Sequence, residues 1–122
     1  MAKYDYELHA FDRSGLDDID IDDALTLVLT FVRANARDAT ASHAAKAHGG
    51  NDDRRWWAQA QPLFAQVFDE DRYPLATRIG TASGARRGSA LDPDHAYHFG
   101  LHHILTALEL LAHDSARRPS RR

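Results

Sequence analysis

Hydrophobic residues recur along the chain at helical spacing, and no stretch alternates between apolar and polar positions with a period of two. Near the start, Tyr4, Leu8 and Phe11 share one helical face. Gly15 follows shortly afterwards and suits the left-handed conformation that ends a helix. The pattern predicts an all-α fold that opens with a short helix.

The strongest helical pattern runs from about residue 18 to residue 47. Five aspartates occupy its first turns, where the helix dipole favours negative charge; they are Asp17, Asp18, Asp20, Asp22 and Asp23. Residues 24–32 are apolar almost all round the helix, which predicts burial on several sides. Alanines then recur from residue 34 to residue 45 and allow a close approach by another helix. We therefore expect this helix to make two separate contacts.

A third helix is predicted between residues 53 and 68, with a kink or a break at Pro62. Trp57, Ala60, Phe64 and Phe68 lie on one of its faces at three- and four-residue steps. Core packing is the more common role of such aromatic residues. A cavity for a small molecule between helices is the alternative.

The following segment combines proline, glycine and small polar residues. Pro74 suits the start of a short helical turn that reaches Ile79, and the composition of residues 80–91 predicts a flexible loop. Pro93 behind Asp92 predicts the start of the last helix. We expect that helix to end near His113, before a frayed tail over residues 115–122.

The last helix carries two apolar stripes. The broader stripe consists of Tyr97, Leu101, Ile104, Leu105, Leu108, Leu111 and Ala112, and the second consists of Phe99, Ala107 and Leu110. Two such stripes exceed what one small domain covers by itself. We expect one stripe to face the domain's own core and the other to face a partner subunit.

Composition narrows the class of protein. The chain has 15 Lys and Arg against 18 Asp and Glu, and its net charge of -3 lacks the basic field of a free-standing DNA-binding protein. Cysteine is absent, which excludes disulfides and thiolate chemistry. No apolar stretch approaches the ~20 residues that span a bilayer, and no signal-peptide core is present. We expect a single cytoplasmic domain over residues 1–122 that does not contact membranes.

Two patterns were candidates for metal sites. The aspartate run opens like a calcium loop, but the sixth and twelfth positions are Asp23 and Leu29 instead of glycine and glutamate, so a helix start is preferred. His95, His98 and His102 share a helical face, yet no H-E-x-x-H motif accompanies them. We predict no metal, no cofactor and no enzyme activity, with a small metal-dependent enzyme built on these histidines as an alternative.

Residues 97–109 read YHFGLHHILTALE, and residues 69–76 read DEDRYPLA. The first segment resembles the signature F-x-x-G-L-x-x-[IL]-[IL]-x-G-[LF]-E in the last helix of the TetR/AcrR family of transcriptional repressors, with Ala107 at the second glycine. The other segment is similar to D-x-x-R-Y-P-x-L-A of the tetracycline-repressor-like C-terminal group. The resemblance extends from about Leu8 to Ala112.

The resemblance implies a helical ligand-binding domain that forms a homodimer through a four-helix bundle. It places the dimer interface at Ala41, Tyr97, Leu101, Ile104, Leu105 and Leu108. It places a small lipophilic effector against Leu25, Leu29, Val32, Trp57, Phe64 and Phe68.

The resemblance also implies a regulatory role in transcription. Family members begin with a helix-turn-helix domain that this chain lacks, so we expect contact with DNA only through such a domain. The effector would favour one arrangement of the dimer and thereby weaken operator binding. Two alternatives remain, a ligand-free structural helical dimer and an orphan small-molecule-binding module without DNA-binding activity.

Overall fold

The computed structural model describes residues 1–49, 55, 58–60, 62–63, 69–88 and 92–118. Four continuous stretches of these residues are helical: α1 (Ala2–Leu8), α2 (Asp18–Gly49), α3 (Pro74–Arg87) and α4 (Pro93–Arg117). Residues 55, 58–60 and 62–63 are also helical, and none of the residues described belongs to a strand. The prediction of an all-α fold is confirmed. None of the helices in the described ranges is long and apolar enough to cross a membrane.

The chain divides into two compact units. The first consists of Met1–Arg37 together with Asp94–Arg122, and the second consists of Asp38–Pro93. Helices α1 and α4 and the first part of α2 therefore belong to one unit. The end of α2 and all of α3 belong to the other.

The aspartate run starts α2, as the sequence predicted. The backbone N–H of Asp20 donates to Oδ1 of Asp17 at 2.9 Å, so Asp17 caps the helix. Gly15 has the positive φ of 86° that a left-handed turn requires. A Cβ at Gly15 would lie 3.7 Å from Cβ of Ala112, so the turn before α2 lies against the end of α4.

A side-chain hydrogen bond joins α1 to α2. The hydroxyl of Tyr4 donates to Oδ1 of Asp22 at 2.5 Å. This hydrogen bond, together with desolvation and the negative charge of Asp22, raises the pKa of Tyr4 above its ordinary value of 10.0. Tyr4 thus holds the short first helix at the start of the long one.

A glycine allows the close packing of α4 on α2. A Cβ at Gly100 would lie 2.5 Å from two ring atoms of Phe31. The same ring stacks on Tyr97, with 6.2 Å between the ring centroids and 18° between their planes. Any side chain at Gly100 would force the Phe31 ring to move from its present position.

Helix α3 corrects one prediction. It begins at Pro74 as expected but continues to Arg87, so the flexible loop predicted for residues 80–91 is wrong over residues 80–87. Each glycine in a helix costs about 1 kcal/mol relative to alanine, but Gly84 is buried, so packing contributes to the formation of this helix. Gly88 ends the helix with φ 64°, and its N–H donates to the carbonyl of Gly84. Residues 89–91 lie outside the described part.

Helix α4 is also longer than predicted. It continues to Arg117 instead of ending near His113, so residues 115–117 are helical and do not belong to a frayed tail. Ala116 is a strong helix former, and Arg117 favours the negative end of the helix dipole. Residues 119–122 lie outside the described residues, as do most of the predicted third helix and the neighbours of Pro62 that would reveal a kink.

We expect the Gly100→Ala substitution to destabilise the protein by about 1–3 kcal/mol, because the added methyl overpacks the contact with Phe31. Urea-induced unfolding measures the change. Gly80→Ala is the matched control, because a Cβ there meets no atom within 4 Å, and it should stabilise the protein by about 0.5–1 kcal/mol. Unchanged stability in Gly100→Ala would contradict the close contact.

Candidate functional site

The α2 residues predicted to contact an effector share one face of the helix. Leu25, Leu29 and Val32 are spaced by four and three residues, which places them together on an α-helix. Leu25 is buried with 6% of its surface exposed, and Leu29 and Val32 are half-buried. Solvent therefore reaches little of this face at Leu25 and more of it at Leu29 and Val32.

The other half of the predicted effector site is aromatic. Trp57, Phe64 and Phe68 lie outside the described residues. Their contribution to an effector site stays a prediction.

Four predicted dimer-interface residues form the inward face of α4. Tyr97, Leu101, Ile104 and Leu108 recur at steps of four, three and four residues, and each is half-buried. Tyr97 stacks on Phe31 of its own chain. No residue of α4 in the described part of the chain is fully buried, so the contact with α2 covers this face only in part.

The remaining two predicted interface residues are exposed. Leu105 lies at the side of the inward face and has 46% of its surface exposed. Ala41 is also exposed and belongs to the second unit, near the end of α2. The predicted interface therefore combines half-buried positions on α4 with freely accessible ones.

The opposite side of α4 forms a continuous stripe, which we name the outer face. Its members are spaced by four, four, three and four residues and are all exposed: His95, Phe99, His103, Thr106 and Leu110. Phe99 and Leu110 are 59% and 62% exposed. They are 11 residues apart, which is about three helical turns, so they point in nearly the same direction.

Local contacts order the side chains of the outer face. The ring of His103 lies 4.2 Å from the ring of Phe99, measured between centroids. Nδ1–H of His103 donates to the backbone carbonyl of Phe99 at 2.6 Å, and the ring of His95 lies 6.2 Å from the Phe99 ring, measured between centroids. The hydrophobic pattern identifies Phe99 and Leu110 but not His103. Histidine is polar, and its hydrogen bond to a backbone carbonyl cannot be recognised from the spacing of hydrophobic residues.

The histidines proposed as alternative metal ligands do not converge. His95, His98 and His102 are exposed, and their rings contact Phe99, Tyr97 and His103 respectively. Over the ranges that the structure describes, no three histidine, aspartate or glutamate side chains are grouped so that they could hold a metal ion. The described positions of these three histidines therefore do not form the metal site of that alternative.

Sequence reasoning also missed the role of Phe31. It lies in the apolar stretch of α2, where every residue is hydrophobic or threonine and periodicity alone does not single out one side chain. Gly100 was the available signal, because a glycine within an otherwise apolar helix marks a close approach by another group.

Comparison with known proteins supports the resemblance. A family model described as the tetracyclin repressor-like C-terminal domain matches residues 1–111. Searches of the curated proteins and of the solved structures gave no match. The matched region includes α1, α2 and α3 and most of α4.

Proposed function

The chain belongs to the tetracycline repressor-like C-terminal domain family, and from this membership we propose that it is the regulatory domain of a transcriptional repressor. In this proposal it forms a homodimer and binds a small lipophilic effector. Contact with DNA is assigned to a helix-turn-helix domain of the kind found in such repressors. The proposal includes a cytoplasmic location and no catalytic reaction.

The exposed apolar surface of α4 carries the proposal of a homodimer. The helix has 25 residues, none of them fully buried among those described, and Phe99, Leu105, Leu110 and Leu111 are all at least 36% exposed. Full burial of one such side chain contributes about 1.5–3 kcal/mol. Covering this surface in two copies would therefore offset much of the ~4–15 kcal/mol that association costs.

The contact between Phe31 and Gly100 reduces the part of α4 that is proposed to contact a second copy. Tyr97 is held by its own chain, so we place the contact between copies mainly at Leu105 and the outer face. The uncovered parts of Leu101, Ile104 and Leu108 would contribute at its edge. Ala41 stays a proposed interface residue on α2.

The chemistry of the α2 face supports a lipophilic effector. Leu25, Leu29 and Val32 present only hydrocarbon, which favours apolar ligands and gives an ion no partner. An effector that prefers one arrangement of the dimer shifts the population towards it, typically with a coupling of about 1–3 kcal/mol. In the complete repressor, this coupling would weaken operator binding.

We expect the Leu105→Asp variant to lose self-association, because it would place an unpaired charge in an apolar interface. A penalty of about 3–5 kcal/mol raises the dissociation constant at least about a hundredfold. Light scattering at about 1 M salt measures the mass under conditions that screen contacts between charges.

Tyr6→Asp is the matched control, because Tyr6 is 79% exposed on α1 of the same unit. It should keep the dimer mass. A Leu105→Asp protein that dimerises as tightly as the control would show that the interface lies elsewhere.

The effector proposal is tested with the two tryptophans of the chain. Their emission should change saturably with at least one member of a panel of fatty acids, sterols and planar aromatic dyes. Leu29→Gln should weaken that binding about tenfold or more, because a buried amide without a hydrogen-bond partner costs about 1–3 kcal/mol.

Leu27→Gln is the matched control, because Leu27 is 48% exposed on α2 and lies far round the helix from Leu29. It should leave the affinity unchanged. The absence of any response across the panel would favour the ligand-free structural dimer.

A further inference from the structure

The start of α2 presents an exposed acidic and apolar face, which we name the acidic face. Its members recur at helical spacing: Ile19, Asp22, Asp23, Thr26, Leu27 and Thr30. Ile19 is 73% exposed and Leu27 is 48% exposed. The side chain of Asp23 takes part in no hydrogen bond or ion pair of the described structure, whereas the side chain of Asp22 accepts the bond from Tyr4. Two large apolar side chains therefore stand in solvent beside a carboxylate without a partner.

Helix α3 presents a face of the opposite charge, which we name the basic face. It consists of Leu75, Arg78, Ile79, Ala82 and Arg86, which lie on one side of the helix. Leu75 and Ile79 are 59% and 54% exposed. Neither arginine takes part in an ion pair of the described structure, and α3 contains no acidic residue.

We propose that the acidic face of α2 in one copy of the chain docks on the basic face of α3 in a second copy. Each face combines exposed aliphatic side chains with unpaired charge, and the two charges are opposite. Apolar contact would supply most of the affinity, and the Asp–Arg pairs would set the register and speed the encounter.

Two-fold symmetry allows the contact to form twice. A contact between unlike faces forms twice in a pair of copies related by a two-fold axis, and otherwise continues from copy to copy. This surface is separate from α4, so the inference goes beyond the proposed dimer. A protein that uses both surfaces would assemble beyond the dimer at low salt.

The first test uses the Leu105→Asp variant, which removes the α4 contact. At about 0.1 M salt this protein should still associate, and raising the salt to about 1 M, where the Debye length falls from about 10 to about 3 Å, should weaken association about tenfold or more. A Leu105→Asp protein that is monomeric at both salt concentrations would overturn the α2–α3 contact while supporting the α4 dimer.

The second test exchanges charges within the same Leu105→Asp protein. Asp23→Lys, or Arg78→Glu with Arg86→Glu, should each weaken association about tenfold, and the combined exchange should restore it to within about threefold. Arg87→Glu, about 100° round α3 from Arg86, and Asp38→Lys later on α2 are controls that should leave the association unchanged. Asp23→Asn repeats the acidic test if Asp23→Lys unfolds by circular dichroism.

The pattern of results separates the two proposals. Restoration by the combined exchange supports docking between copies. If the acidic and basic exchanges each weaken association and their combination weakens it further, the docking proposal is overturned. A control variant that weakens association as much as these exchanges would also overturn it. The Leu105→Asp protein could instead associate strongly at about 1 M salt, with no change on any charge exchange. That result would contradict both the docking proposal and the α4 interface.

Discussion

The packing of the Phe31 ring on the backbone of Gly100 determines how α4 lies on α2. The ring occupies the space of a Cβ, so α4 turns its glycine towards α2, and Tyr97 joins the contact by stacking on the same ring. Adjacent residues on a helix point about 100° apart. Fixing Gly100 inward therefore turns Phe99 away from α2 and leaves Leu110, three turns later, exposed with it. One contact sets the rotation of the whole helix.

This rotation links the fold to function. The inward face of α4 holds its own unit together, while Leu105 and the outer face remain available for a second copy. Residues Leu25, Leu29 and Val32 lie on a different side of α2 from Phe31, so an effector on that side would not compete directly with the α4 contact. We propose that a ligand there acts by shifting α2, which contacts α4 through Phe31 and Gly100.

The sequence predicted the elements with strong local signals. The helix start at the aspartate run, the positive φ at Gly15 and the opening prolines of α3 and α4 are all determined by neighbouring residues. The composition of residues 80–91 predicts a loop, but residues 80–87 continue α3, where Gly84 is buried; composition alone does not reveal such packing. The contact between Phe31 and Gly100 joins residues 69 positions apart (100 minus 31), which local patterns do not reveal. The two stripes of α4 were visible in the sequence, but only this contact shows that the stripe containing Tyr97 is turned inward.

The central claim is that α4 packs on its own chain with one face and offers the other to a second copy. Because the chain has no cysteine, Leu110→Cys and Ile104→Cys each give a single thiol whose labelling rate reports exposure. We predict that the thiol at Leu110 is labelled rapidly in dilute protein and becomes protected as concentration rises, whereas the thiol at Ile104 changes little. Protection at Ile104 that grows with concentration, while Leu110 stays freely labelled, would contradict the account.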